Sequence, residues 1–426
     1  MDNIKDSNTD WIGKIPTNWE IQPLSMFFEE RKEKVSDKDY EPLSVTKNGV
    51  VKQLENVAKS DAHDDRKKVC KNDFVINSRS DRKQSCGLSN YDGSVSLINI
   101  VLKIDKEKIL PEYVKYLFDN CMFAEEFYRN GHGIVADLWT TNFSDMKRIA
   151  IPIPPIHEQE IIAKTLDEKI LKLNKALNNL NDQIEILNNY LKSKITELIT
   201  KGINTHTEMK ESNVKWIGKI PKHWSVNKIK YLASSLSKGN GITKDDVVTD
   251  GDIQCIRYGE IYSKYDNTFS NSFSFTKMER IEKPVFIYSG DILFAGTGEL
   301  VEEIGKNILY EGKEKCLVGG DIIIMKHNQN AKFLNYALNS ISSQEQKSKG
   351  KAKLKVVHIS ASDIGNILIA VPPLKEQKEI AEYLDVMYQK IKEIIKNKKV
   401  QIEKLENYKK SIIYEYATGK KRVKGV

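Results

Sequence analysis

Cysteine is scarce in this chain and carries no pattern. The five residues, Cys70, Cys86, Cys121, Cys255 and Cys316, are odd in number, and no two form a Cys-x-x-Cys pair. Neither a disulfide framework nor a zinc site is indicated. A reducing, cytoplasmic setting fits such usage. The seven histidines form no HxxxH or HExxH motif, which excludes the common hydrolytic metal sites. No run approaches the roughly 18 apolar residues of a membrane span, and Met1 to Asp6 lack the apolar core of a signal peptide. A strong charge bias is also missing. The balance of 67 Lys and Arg against 59 Asp and Glu leaves +8, which permits a polyanionic partner without requiring one.

Glycine and proline are missing from two long stretches. Residues 156–200 and 374–418 each run 45 positions without either, and each stops at a glycine, Gly202 and Gly419. A helix of that length spans about 67 Å at roughly 1.5 Å per residue. In the first stretch Ala163, Leu166, Ile170, Leu173, Leu177, Leu180, Ile184, Leu187 and Leu191 advance by threes and fours. In the second, Leu384, Tyr388, Ile391, Ile395, Ile402, Leu405, Ile412 and Tyr416 keep that phase, interrupted by Lys398 and Lys409. These are coiled-coil seams, and their matched lengths make the two helices natural partners.

What is present is present twice. Trp11-Ile12-Gly13-Lys14-Ile15-Pro16, followed by Trp19, returns as Trp216-Ile217-Gly218-Lys219-Ile220-Pro221, followed by Trp224. Pro154-Pro155 before Glu158-Gln159 returns as Pro372-Pro373 before Glu376-Gln377. Repeats of about 200 residues are too long for a solenoid unit and mark a duplicated domain. The expected fold class is α+β: two mixed α/β domains separated by a long antiparallel two-helix coiled coil, in a pseudo-twofold repeat. The boundaries read 1–155 for the first domain, 156–202 for the central helix, 203–373 for the second domain and 374–426 for the C-terminal helix and basic tail. Residues 95–102 and 321–325 read as strands, 111–130 and 331–347 as helices. Trp216 follows Gly202 closely, so equivalence of the halves predicts that Gly419 returns towards Trp11. The frames of the two domains repeat while their interiors barely resemble each other, which suits one fold reading two targets.

Few motifs carry chemistry. Phe294-Ala295-Gly296-Thr297-Gly298 resembles the S-adenosylmethionine loop of adenine methyltransferases. The catalytic Pro-Pro-aromatic loop of those enzymes has no counterpart, because both Pro-Pro pairs are flanked by aliphatic residues. Gly298 to Asn307 lacks P-loop spacing and its Ser or Thr. Asp64-Asp65 are adjacent carboxylates in a charged loop. The basic, polar segments say more. Asn77, Ser78, Arg79, Ser80, Arg82, Lys83 and Gln84 follow a strand and offer the donors that read bases and hold phosphates. In the second domain Arg257, Tyr258, Lys349, Lys351 and Lys353 are similar in character.

With these residues in view, the chain resembles the specificity subunit of a type I restriction–modification system. The resemblance rests on the doubled Trp motif, the doubled Pro-Pro…Glu-Gln helix start, the long helix after each domain, and the glycine-bearing strings 87–93 and 289–298. It implies a non-catalytic reader of double-stranded DNA, each domain recognising one half of a split, asymmetric target. It implies helices that set the spacing and dock two methylation subunits, with Leu166, Ile170, Leu173, Leu177, Leu384, Ile391, Ile395 and Ile402 as candidate docking residues. Restriction subunits would join that core. No cofactor is expected on this chain; S-adenosylmethionine, ATP and Mg2+ would act on the partner subunits. The alternatives are a self-contained DNA methyltransferase or nuclease, and a coiled-coil scaffold with no DNA role.

Overall fold

A computed structural model describes residues 4–53, 64–133, 139–298, 300–349 and 357–423. It divides by compactness into two units, residues 1–181 with 399–426, and residues 182–398. The cut passes through both long helices, Ile156–Lys201 and Leu374–Ala417. Each unit therefore holds one of the two mixed α/β domains and a portion of each long helix.

In the first unit, an antiparallel sheet orders Cys86–Leu88, Phe74–Asn77, Asn99–Ile104 and Phe28–Glu30. In the second, Asn307–Tyr310, Ile292–Ala295, Ile322–His327 and Ala233–Lys238 take the same order, with Thr268–Phe269 added in parallel at one edge. The companion sheets differ. The first unit pairs Gly93–Ser96, Arg66–Val69 and Lys34–Val35 antiparallel throughout. The second contains a parallel pair, Ile253–Ile256 beside Cys316–Val318. Here the divergent interiors become different strand topology.

Both stretches read as single helices are broken in two. Pro111–Phe118 and Cys121–Arg129 are separated at Asn120, whose side chain accepts the Met122 N–H. Ala331–Leu338 and Ile341–Ser348 are separated at Ser340, whose hydroxyl caps Ser343. A capping side chain satisfies donors that a continued helix would have used, so the break is stable. The stretch 95–102, read as one strand, is likewise split into Gly93–Ser96 and Asn99–Ile104, which join different sheets.

The repeated motifs form one device in each unit. Glu158 accepts the indole N–H of Trp19 at 2.8 Å, and Glu376 that of Trp224 at 2.9 Å. Gln159 accepts the Leu110 N–H at 2.8 Å and donates to the Pro154 carbonyl at 2.9 Å. Gln377 accepts the Asn330 N–H at 3.0 Å and donates to the Pro372 carbonyl at 2.9 Å. The first turn of each long helix is thereby joined to its domain through buried and partly buried hydrogen bonds. The helix ends complete the frame. Gly202, at φ +76°, lies against the Trp224 ring, and Gly419, at φ +73°, lies against Pro16 and Trp19. Lys420 donates to the carbonyls of Ile12 and Lys14. The chain after the second helix thus returns to the N-terminal motif, as the repeat predicts.

Within each unit the helix segments pack antiparallel. In the first, Lys409 donates to Asn174 at 3.0 Å while the Lys169 ammonium lies 5.9 Å from the Tyr416 ring. In the second, Lys398 donates to Gln183, and Tyr190 shares a cleft with Tyr383 and Lys390. Each lysine that interrupts the seam meets an amide oxygen, which lets a charge sit beside an apolar stripe.

Candidate nucleic-acid interface

The strand Phe74–Asn77 is buried along its apolar length, so the chain leaving it must emerge at the sheet edge. Ser78 is buried and its carbonyl accepts the Thr141 N–H at 3.0 Å. Arg79 then pairs antiparallel with Thr140 in an isolated bridge. A short 3-10 turn, Ser80–Arg82, exposes the guanidinium groups. Gln84 closes the loop at φ +63°, an uncommon conformation for a side chain with a Cβ. Asn77 accepts the Arg79 N–H through its own side chain and so serves the turn.

The cations of this loop are balanced by local acids. Arg79 lies 3.1 Å from Asp81, Arg82 3.8 Å from the same carboxylate, and Lys83 2.8 Å from Glu125. Exposed pairs of this kind contribute about 0–1 kcal/mol, so exchange for a phosphate costs little. Beside them a cleft of about 450 Å³ is lined by Ser80, Lys83, Tyr128, Arg129, Met122 and Trp139. Met122 and Trp139 are exposed apolar groups among cations, and no sequence pattern singled them out.

Register identifies the counterpart in the second unit. Asp73 and Asp291 begin the two strands with the same turn, accepting the N–H of Cys70 at 2.8 Å and of Tyr288 at 2.9 Å. Arg79 bridges Thr140 in one unit, and Thr297 pairs with His358 in the other. The equivalent of Arg79 is therefore Thr297, and that of Ser80 is Gly298. The glycines once compared with a cofactor loop serve packing instead. A Cβ on Gly296 would lie 2.8 Å from the Asp321 carbonyl oxygen, and one on Gly298 3.0 Å from the Tyr262 hydroxyl.

The other named residues are dispersed. Arg257 precedes the short helix Tyr258–Ser263, and Tyr258 is exposed at a separate cleft. The Lys349 ammonium lies 5.7 Å from the Trp216 ring, on the repeated motif. Lys351 and Lys353 lie outside the described residues. Lys347, in the same basic run, is buried and donates to the carbonyls of Gly305 and Leu338 and to Asn307. Burial pushes its pKa down to about 7. Asp65 pairs with Lys34 at 2.6 Å on the surface. Among the described residues no group of three or more His, Cys, Asp or Glu could hold a metal ion, and no helix is long and apolar enough to cross a membrane.

The docking candidates face inward. Leu166 and Leu384 are fully buried in the core of their own units, and Ile391 and Ile395 are buried beside Leu384. Ile170 and Leu173 pack partly buried on the first core. Leu177 and Ile402 are partly buried as well. Seam residues satisfy the chain itself, so a partner would meet other side chains of these helices. Exposed apolar side chains on them include Leu171, Ile186, Tyr190, Tyr383, Val386 and Ile394.

A family model of the type I restriction modification DNA specificity domain matches residues 16–186 and again residues 221–404. The chain is 26% identical over 445 residues to the putative type I restriction enzyme MjaX specificity subunit of Methanocaldococcus jannaschii, covering 97% of this chain and 96% of that one. It is 28% identical over 340 residues to the type I restriction enzyme MjaVIII specificity subunit of the same organism, covering 78% and 75%. A solved structure from work on complex assembly and conformational transition of the type I R-M system shares the fold. Its TM-score is 0.69 at 14% identity, over 95% of this chain and 98% of that one. Two copies of one frame, each matched by the same family model, place this chain in the type I restriction–modification DNA specificity family, as a specificity subunit with two recognition domains.

Proposed function

We propose that this chain reads a split, asymmetric target in double-stranded DNA, one half with each recognition domain, and is itself non-catalytic. The observation that carries the reading is the pair of equivalent strand ends. One frame presents Arg79 and Thr140 in the first unit and Thr297 and His358 in the second. Different donors at equivalent positions select different bases. The helices of 46 and 44 residues set the gap between half-sites. At roughly 1.5 Å per residue each is long enough for about two turns of duplex. Two methylation subunits dock on these helices and supply S-adenosylmethionine chemistry, and restriction subunits supply ATP- and Mg2+-dependent cleavage. The assembly works in the cytoplasm.

The test is co-expression with the methylation subunit of the same system, followed by mapping of methylated adenines. One bipartite motif with unlike halves is the expected result. Arg79→Ala should relax one base position in one half and leave the other half unaltered. A motif with identical halves, or methylation without sequence preference, would overturn the reading.

A further inference from the structure

The second unit holds a cleft of about 800 Å³ with four glycines in its lining, Gly241, Gly259, Gly319 and Gly320. The fold accounts for only some of the glycines in this region. Neighbouring Gly239 is demanded by packing, since a Cβ there would stand 2.2 Å from the Gly319 carbonyl oxygen. A Cβ on Gly241 or Gly259 would meet nothing within 4 Å, and neither residue has a positive φ. Nothing within the chain requires glycine at these two exposed positions. Glycine there leaves the floor open to a group approaching from outside.

Arg257 stands at this floor. Its backbone N–H is held by Glu260 at 2.9 Å. The nearer guanidinium nitrogen is 3.9 Å from the Glu260 carboxylate, beyond hydrogen-bond distance. The Nε atom is buried and has no hydrogen-bond partner. A buried donor left unmade is costly and is normally satisfied by something. Glu260 is committed elsewhere, accepting from Ser274 and from the Arg257 backbone. Lys244 and Lys264 also line the cleft, so three cations face two carboxylates, Glu260 and Asp321. The exposed Tyr258 ring stands at the rim.

We infer that the second recognition domain also grips duplex DNA at this glycine-floored cleft, in addition to the Thr297 and His358 strand end, the Arg257 guanidinium taking a pair of acceptors. Two phosphate oxygens or the O6 and N7 of a guanine offer that pair equally well. The inference rests on the DNA-reading role proposed above and assigns its place in one domain.

The experiment uses the full chain assembled with its methylation subunit, on duplexes carrying the mapped motif and single base-pair changes within it. Affinity is measured against salt for the wild type, Arg257→Lys and Gly259→Val, with melting temperatures as a check on folding. The lysine keeps the charge and loses the fork, and the valine fills open space above the floor. Both should weaken binding roughly 10-fold or more while melting is retained. A phosphate contact weakens every duplex alike; Arg257→Ala then lowers the salt slope by about one. A guanine contact confines the loss to one base pair of the second half-site. Wild-type affinity, salt slope and base preference in all three variants would overturn the assignment, and the DNA-reading role would still stand on the wild-type motif. If the wild-type assembly has no motif, that role itself has failed.

Discussion

Trp19 and Trp224 meet Glu158 and Glu376 in hydrogen bonds of 2.8 and 2.9 Å, while the equivalent strand ends carry Arg79 in one unit and Thr297 in the other. The same chain has thus kept one part of a duplicated frame and changed another. The conserved part is buried and hydrogen-bonded, so a substitution there strands polar groups. The changed part lies at strand ends facing solvent, where exchanging a side chain leaves the core intact. A frame of this kind permits two recognition surfaces to diverge while the helix junctions stay alike.

The largest effects should come from breaking the shared part. Gln159→Leu removes the partner of the Leu110 N–H and of the Pro154 carbonyl; Gln377→Leu does the same to Asn330 and Pro372. Each should cost its own unit roughly 2–5 kcal/mol, the penalty for two stranded backbone groups. Urea unfolding with amide exchange assigned to each unit measures this. A loss below about 1 kcal/mol in either unit would show that the junction is not held by its glutamine.

An intermediate effect tests where the units differ inside. Seven residues after the caps Asn120 and Ser340 stand a buried phenylalanine, Phe127, in one unit and the buried Lys347 in the other. Lys347→Met imitates the apolar solution but leaves three oxygen acceptors unpaired. It should cost roughly 2–4 kcal/mol. Its pH dependence has a definite sign. Folded Lys347 titrates at about 7, and an unfolded lysine near 10.4. Between those values the unfolded chain binds the extra proton, so stability rises with pH by up to about 1.4 kcal/mol per unit. That gain is complete above the unfolded value and absent below the folded one. Between pH 7.5 and 9.5 the wild type should therefore gain stability relative to Lys347→Met. A constant difference would show that the ammonium stays charged, held by its three oxygens.

The smallest effect compares the two helix ends. Both glycines have positive φ, so alanine is strained at each. A Cβ on Gly419 would come within 2.5 Å of Pro16 and 3.0 Å of Trp19, whereas one on Gly202 would stay 3.2 Å from Trp224. Gly419→Ala should cost about 2 kcal/mol and Gly202→Ala about 1. Thermal denaturation showing equal losses would mean that backbone strain alone sets the penalty.

Much of the frame was legible because it repeats. The doubled Trp, Pro-Pro and Glu-Gln residues stand in the sequence at nearly constant separation, and the structure turns them into the same junction twice. The direction of the seam side chains was not legible. A heptad pattern reports an apolar stripe, and Leu166 and Leu384 use that stripe to complete a domain core. The helix breaks at Asn120 and Ser340 were hidden as well. A polar side chain within a helical pattern reads the same whether it faces solvent or caps. The equivalence of Arg79 and Thr297 was obscured because the side chains themselves differ, and only strand register and bridge partner align them.

The sequence alone determined the duplication, the two long helices with their glycine stops, and the return of the chain after Gly419 to the first tryptophan motif. These follow from local rules: helix propensity, apolar periodicity and repetition. Tertiary structure decided which acceptor each buried donor finds, which cations are already paired with acids, and why Gly296 is needed where Gly241 is not. Those outcomes depend on the distances between atoms far apart in the chain, and no local pattern encodes such distances.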